Sequence, residues 1–150
     1  MDRRAARQPE PATQRLAVRR LDAQMLHHVS LGSADLARST KFYDAVLSAL
    51  GYARVWTTRT EIGYGYRGSG DKLAIKLRDD AAVGLGSGFH LAFAASSRDA
   101  VEAFHRSALE HGGQDNGSPG PRPAYGPNYF AAFVIDPDGH RLEAVINEAI

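Results

Sequence analysis

Three residues of a cation-binding type lie in short apolar runs that read as strands: His28 in Leu26–Leu31, His90 in Phe89–Ala94 and Glu143 in Leu142–Ile146. Two imidazoles and one carboxylate form the facial triad that holds Fe(II), Mn(II) and related ions while leaving coordination positions open. Those positions accept substrate oxygens, water or dioxygen. Read alternately, His28 shares a strand face with Ser30 and Gly32, and His90 shares one with Ala92 and Ala94. Small neighbours leave room beside each imidazole. Glu143 opposes Leu142, Ala144 and Ile146, and a carboxylate in such a strand is costly to bury unless it is paired or bound to a cation.

A half-repeat connects the two histidines. His28, Phe42, Leu47 and Gly51 recur without a gap 62 positions later as His90, Phe104, Leu109 and Gly113. Each copy opens on a strand-like run with a histidine, passes a polar break, runs through a helical stretch and stops at glycine. Duplicated supersecondary units point to a pseudo-symmetric site. In the first copy Asp35 caps a helix whose apolar stripe is Leu36, Tyr43, Val46, Leu47 and Leu50, and Gly51 ends it. Strands are expected at Ala53–Thr58, Ile62–Tyr66 and Leu73–Leu77, the last two joined by the turn Arg67–Lys72. In the second copy Ser96 or Ser97 caps a helix carrying Val101, Phe104, Ala108 and Leu109, which ends at Gly112-Gly113. An irregular stretch, Gln114–Pro127, is expected next. Two strands close the chain, Tyr129–Ile135 and His140–Ile146, hinged on Asp136-Pro-Asp-Gly139.

The composition narrows the class. The chain has no cysteine, so any metal here is held by nitrogen and oxygen ligands. No apolar run approaches the roughly 20 residues needed to span a bilayer, and the expected location is the cytoplasm. Residues 1–24 hold six arginines against three acids, a net +3 that leaves −2 over the remainder. This basic leader is expected to be disordered, with one domain over 25–150, its first module at about 25–80 and its second at about 89–147. A slightly acidic domain offers no electrostatic footprint for nucleic acid. His27 is read as structural, Trp56 as core or cup wall, and His105, His111 and His140 as surface residues.

The segments Leu26-His-His-Val-Ser-Leu31, Asp35–Tyr43, Leu47–Gly51 and Asp136-Pro-Asp-Gly-His-Arg-Leu-Glu143 resemble the vicinal oxygen chelate superfamily. It includes glyoxalase I, extradiol dioxygenases, fosfomycin-resistance transferases and bleomycin-resistance proteins. The resemblance spans about residues 25–147. It implies an α+β fold in which two βαβββ modules curve around a cup, and a divalent metal (Fe, Mn, Zn or Ni) on His28, His90 and Glu143. It also implies a homodimer, in some members with modules exchanged between chains.

Glyoxalase I carries a fourth ligand on the last strand of its first module. Aligning Ile75-Lys76-Leu77 with Leu142-Glu143-Ala144 puts Lys76 there, and an ammonium cannot ligate a cation. The expectation is therefore a three-ligand enzyme acting on a small substrate with adjacent oxygens, of dioxygenase, lyase or transferase type. The alternative is a metal-free small-molecule binding protein of the bleomycin-resistance kind. Tyr125, Tyr129 and Lys76 are candidate catalytic groups, with Tyr64 and Tyr66 as further phenols. Arg122, Tyr125, Asn128 and Tyr129 are candidate substrate contacts, because long loops on rigid scaffolds are often functional.

Overall fold

In the computed structural model, residues 25–79 and 86–149 are described; the basic leader and part of the linker between the copies lie outside them. The first module runs β1 (Val29–Ser33), α1 (Leu36–Ala49), β2 (Ala53–Thr57), β3 (Glu61–Gly65) and β4 (Asp71–Leu77). The second runs β5 (Leu91–Ala94), α2 (Arg98–Glu110), β6 (Gln114–Pro121), β7 (Tyr129–Ile135) and β8 (Arg141–Asn147). Each forms a four-stranded sheet, ordered β1-β4-β3-β2 and β5-β8-β7-β6. The first strand of each module pairs in parallel with the last, and the other pairs are antiparallel. The two βαβββ units that the resemblance implies are present.

The helices begin and end on local chemistry. Asp35 accepts from the Arg38 N–H at 3.0 Å, and Ser97, not Ser96, accepts from Ala100 N–H at 3.0 Å. Gly51 and Gly112 take φ of 86° and 91° just beyond the helix ends, where a side chain would be strained. Helix α1 buries Ser39, Phe42, Tyr43, Val46 and Leu47, and α2 buries Val101, Phe104 and Ala108. These stripes cover the inner sheet faces: Leu31, Ile62, Tyr64, Leu73 and Ile75 in the first module, Ala132, Val134, Leu142 and Ala144 in the second. The helices also pack on each other and join the modules. Phe42 comes so close to Gly113 that a Cβ there would lie 2.8 Å from its ring.

Strand β6 occupies part of the stretch expected to be irregular. It pairs only with β7, and its register shifts between Asp115 and Gly117 and again between Gly117 and Gly120. A proline without an N–H is tolerated on an edge strand, and glycines mark bulges.

A polar clasp also joins the modules. In the β7–β8 turn, Asp138 accepts from Ala34 N–H (3.0 Å), the Arg38 guanidinium (2.8 Å) and the Ser39 hydroxyl (2.9 Å), all at the β1–α1 junction. Tyr43 donates to Asp136, which also accepts from the N–H groups of Asp138 (2.9 Å) and His140 (2.8 Å). His140 Nε2 donates to the Gly32 carbonyl at 2.7 Å. His140 is 2% exposed, so the surface placement expected for it is corrected: its neighbours come from the other module, which its own segment could not reveal. Burial pushes the Asp136 carboxyl and the Tyr43 phenol above their ordinary ranges, and Asp136 pushes the phenol further.

Candidate functional site

Each sheet has an outer face turned away from its helix, and there the structure brings Glu143, His90 and Tyr129 together. Glu143 is 1% exposed. Its Oε2 lies 3.0 Å from His90 Nε2, and its Oε1 accepts the Tyr129 hydroxyl. The His90 ring, more than half exposed, tilts against Phe133 with centroids 6.4 Å apart. The cost of burying the Glu143 charge is offset by two side-chain donors. Burial and the adjacent Glu143 together push the Tyr129 phenol up to about 12, so it is a donor across the physiological range.

The local sequence explains this assembly. The register sets Ala92 and Phe133 beside Glu143, on β5 and β7. Tyr129 lies four residues before Phe133 and so on the same face. Ala131, between them, is small enough for the phenol to lie along the strand. His90 immediately precedes β5, on the face of Ala92.

His28 is not in this cluster. It is exposed before β1, and its Nδ1 is 2.8 Å from Nδ1 of His27, which is exposed too. Among the described residues no three His, Asp or Glu side chains converge to hold one ion. One chain therefore unites two of the three expected ligands. The donor set fits a divalent cation in part: an imidazole nitrogen and a carboxylate oxygen, donors of the type such ions take, face each other at 3.0 Å.

The register also revises the fourth position. Ser30 pairs with Ala74, and Ala92, the residue equivalent to Ser30, pairs with Glu143. The counterpart of Glu143 is therefore Ala74, not Lys76. Lys76 sits two residues further along the same face, 3.9 Å from Glu61. Its side chain is partly exposed, and it lies in the sheet that does not hold Glu143.

The loop candidates divide. Tyr125 is exposed and packs edge-on against Tyr129, with centroids 5.3 Å apart. Arg122 bonds the carbonyls of Ser118 (2.7 Å), Gly120 (3.0 Å) and Pro121 (3.2 Å) and lies 5.5 Å over Phe133, so it clamps its own loop. Asn128 lines a separate recess with Ser97, Arg98 and Ile146. Tyr64 donates to Asp44 at 3.0 Å, and Tyr66 packs edge-on against Tyr52 at an inter-module cleft. Trp56, expected as core or cup wall, is half-buried, and its indole lies over Gly63, where a Cβ would meet it at 2.2 Å. Phe133 was not singled out from sequence, because in an apolar run only register reveals which aromatic faces outward.

Two βαβββ modules, each opening at a histidine and closing on a strand whose outer face can carry a carboxylate, define the vicinal oxygen chelate class. The chain belongs to the Glyoxalase/Bleomycin resistance protein/Dioxygenase superfamily, whose profile matches residues 25–144. It is similar to the solved structure of a glyoxalase/bleomycin resistance protein from Albidiferax ferrireducens T118, with 33% identity over 81% of this chain and 98% of that one, TM-score 0.71. A glyoxalase-related enzyme from Fulvimarina pelagi is 26% identical over 83% of this chain and 88% of the other, TM-score 0.63. A V278E mutant of glyoxalase I from Zea mays is 25% identical, TM-score 0.60; the match covers 80% of this chain and 45% of the maize one. No curated protein matches the chain.

Proposed function

We propose that the chain is a metal-dependent enzyme of glyoxalase or dioxygenase type, acting on a small substrate with adjacent oxygens. The observation that carries this reading is the buried Glu143 carboxylate aimed at His90 Nε2. A divalent ion (Fe, Mn, Zn or Ni) bound there would supply Lewis acidity and open positions for two substrate oxygens. Glu143 contributes the negative charge, His90 an imidazole already turned toward it, and Phe133 an apolar flank. The third ligand in this reading is His28 of a second copy. The support is positional: His28 stands before an edge strand equivalent to the one that follows His90, yet apart from the Glu143 cluster. The unit is then a cytoplasmic homodimer with an isologous interface, binding neither nucleic acid nor membrane. No helix among the described residues is long and apolar enough to cross a bilayer.

The test is metal content with variants. Wild-type protein is expected to carry or take up one divalent ion per chain, and both His28→Ala and Glu143→Ala to lose it. Mixing the two variants separates shared from single-chain sites. A heterodimer with exchanged ligands rebuilds one intact site, whereas a site within one chain stays broken in both partners. Metal retained by Glu143→Ala refutes the metal reading. No recovery on mixing confines the site to one chain.

A second reading is a metal-free binding protein, favoured by the fact that both Glu143 oxygens already have side-chain donors. Absence of any bound metal after reconstitution, with ligand retained by chelator-treated protein and no turnover, selects it.

A further inference from the structure

Tyr129 touches the candidate ligand rather than open space. Its hydroxyl donates to Oε1 of Glu143, leaving Oε2 as the oxygen directed at His90 Nε2. Its ring is held edge-on by Tyr125, and Arg122, immediately before the Pro123–Gly126 turn, is pinned to three carbonyls and lies over Phe133. The backbone is closed as well: Arg122 N–H bonds Tyr129 O at 2.8 Å, Tyr125 N–H bonds Arg122 O at 2.9 Å, and Tyr129 N–H bonds Gly126 O at 3.3 Å. A ligating carboxylate with two free oxygens can rotate or bind in bidentate fashion. One whose second oxygen is committed to a phenol cannot do so without breaking that bond. Outer-sphere hydrogen bonds of this kind change metal affinity by about 10- to 100-fold.

We propose that Tyr129 is a positioning residue that fixes Glu143 as a one-oxygen ligand and ties the metal site to the 122–129 loop. This revises its expected role as a substrate contact or acid–base group, and it rests on the metal reading above. The loop and the ligand then form one mechanical unit, and disorder in the loop loosens Glu143 through the Tyr125–Tyr129 pair.

The experiment is Co(II) titration of purified wild-type, Tyr129→Phe and Tyr125→Ala proteins, followed by visible absorption. Tyr129→Phe keeps the ring and removes only the hydroxyl. It is expected to bind Co(II) about 10-fold or more weakly and to show an altered d–d spectrum, because the freed oxygen is available to the ion. Its metal-free melting temperature and circular dichroism distinguish a lost hydrogen bond from a damaged fold. Tyr125→Ala is expected to weaken binding by a smaller factor with the wild-type spectrum. Equal Co(II) affinity and an identical spectrum in wild type and Tyr129→Phe overturn this inference while leaving the metal reading intact. Failure of the wild type to bind Co(II) overturns both.

Discussion

The outer faces of the two sheets can be compared residue by residue, since the half-repeat fixes which positions correspond. Across the first sheet one row reads Ser30, Ala74, Gly63, Trp56; across the second it reads Ala92, Glu143, Phe133, Gly117. The first row is apolar except for a serine, while the second carries the carboxylate. The aromatic has also changed strand. In the first module Trp56 on β2 lies over Gly63 on β3; in the second Phe133 on β7 lies over Gly117 on β6, where a Cβ would be 3.0 Å away. Both pairs fill one layer of space with one ring, in opposite directions. Duplication thus supplied two equivalent outward-facing positions, and only one carries a carboxylate. The equivalent row of the first sheet carries no charged side chain, and its Ala74 is buried.

Making the faces alike is the largest perturbation the comparison offers. Ala74→Glu places a second carboxylate at the equivalent position, 3% exposed and adjacent to Gly63 under the Trp56 indole. The expected cost is about 3 kcal/mol of stability, measured by urea denaturation of metal-free protein. Wild-type stability for this variant would show that the first face is as polar and open as the second.

The sequence made the helices and the outward orientation of Glu143 legible, because these rest on local rules of capping and alternation. Lys76 was misplaced for a definable reason. Ala74 and Lys76 share a face, and β4 is buried across Leu73, Ala74 and Ile75, so no polar alternation reveals a slip of two residues. Strand β6 escaped notice because Gly117, Ser118, Pro119 and Gly120 carry no apolar period; its single partner strand defines it. The separation of His28 from Glu143 depends on how the modules pack, which no local pattern encodes.

The two joints between the modules differ as well. The Gly32 carbonyl accepts from His140, and the equivalent Ala94 carbonyl accepts from the Tyr52 hydroxyl at 2.6 Å. The first joint continues into the Asp138 network. The second opens instead into the cleft lined by Tyr52, Tyr66, Lys72 and Phe93. Burial opposes ionisation of Asp138, but hydrogen bonds from Ala34, Ser33 and Ser39, with the Arg38 charge, prevail and hold its carboxyl below the usual value of 3.8. A depressed folded pKa contributes stability above the unfolded value and loses it as pH falls through the folded one. Asp138→Asn is expected to cost about 2 kcal/mol near neutral pH, with the difference from wild type shrinking below about pH 4. Asp136 is raised and contributes with the opposite sign, so the wild-type minus variant difference isolates Asp138. A difference that is constant from pH 7 to pH 3 contradicts the clasp's charge-based origin.

Tyr52→Phe probes the opposite joint and should have the smallest effect. It removes one hydroxyl bonded to a single carbonyl on a strand whose Ala94 is exposed, so water replaces the lost donor. The expected loss is about 1 kcal/mol or less, seen as a small fall in denaturation midpoint with unchanged slope. The ring stays against Tyr66, at 5.4 Å between centroids, so the cleft keeps its wall. If Tyr52→Phe instead costs as much as Asp138→Asn, the two joints bear equal load, and the asymmetry between the modules is confined to their outer faces. A small effect beside a large one means that, of the two polar joints, the β7–β8 turn contributes the more, the turn that leads directly into the strand carrying Glu143.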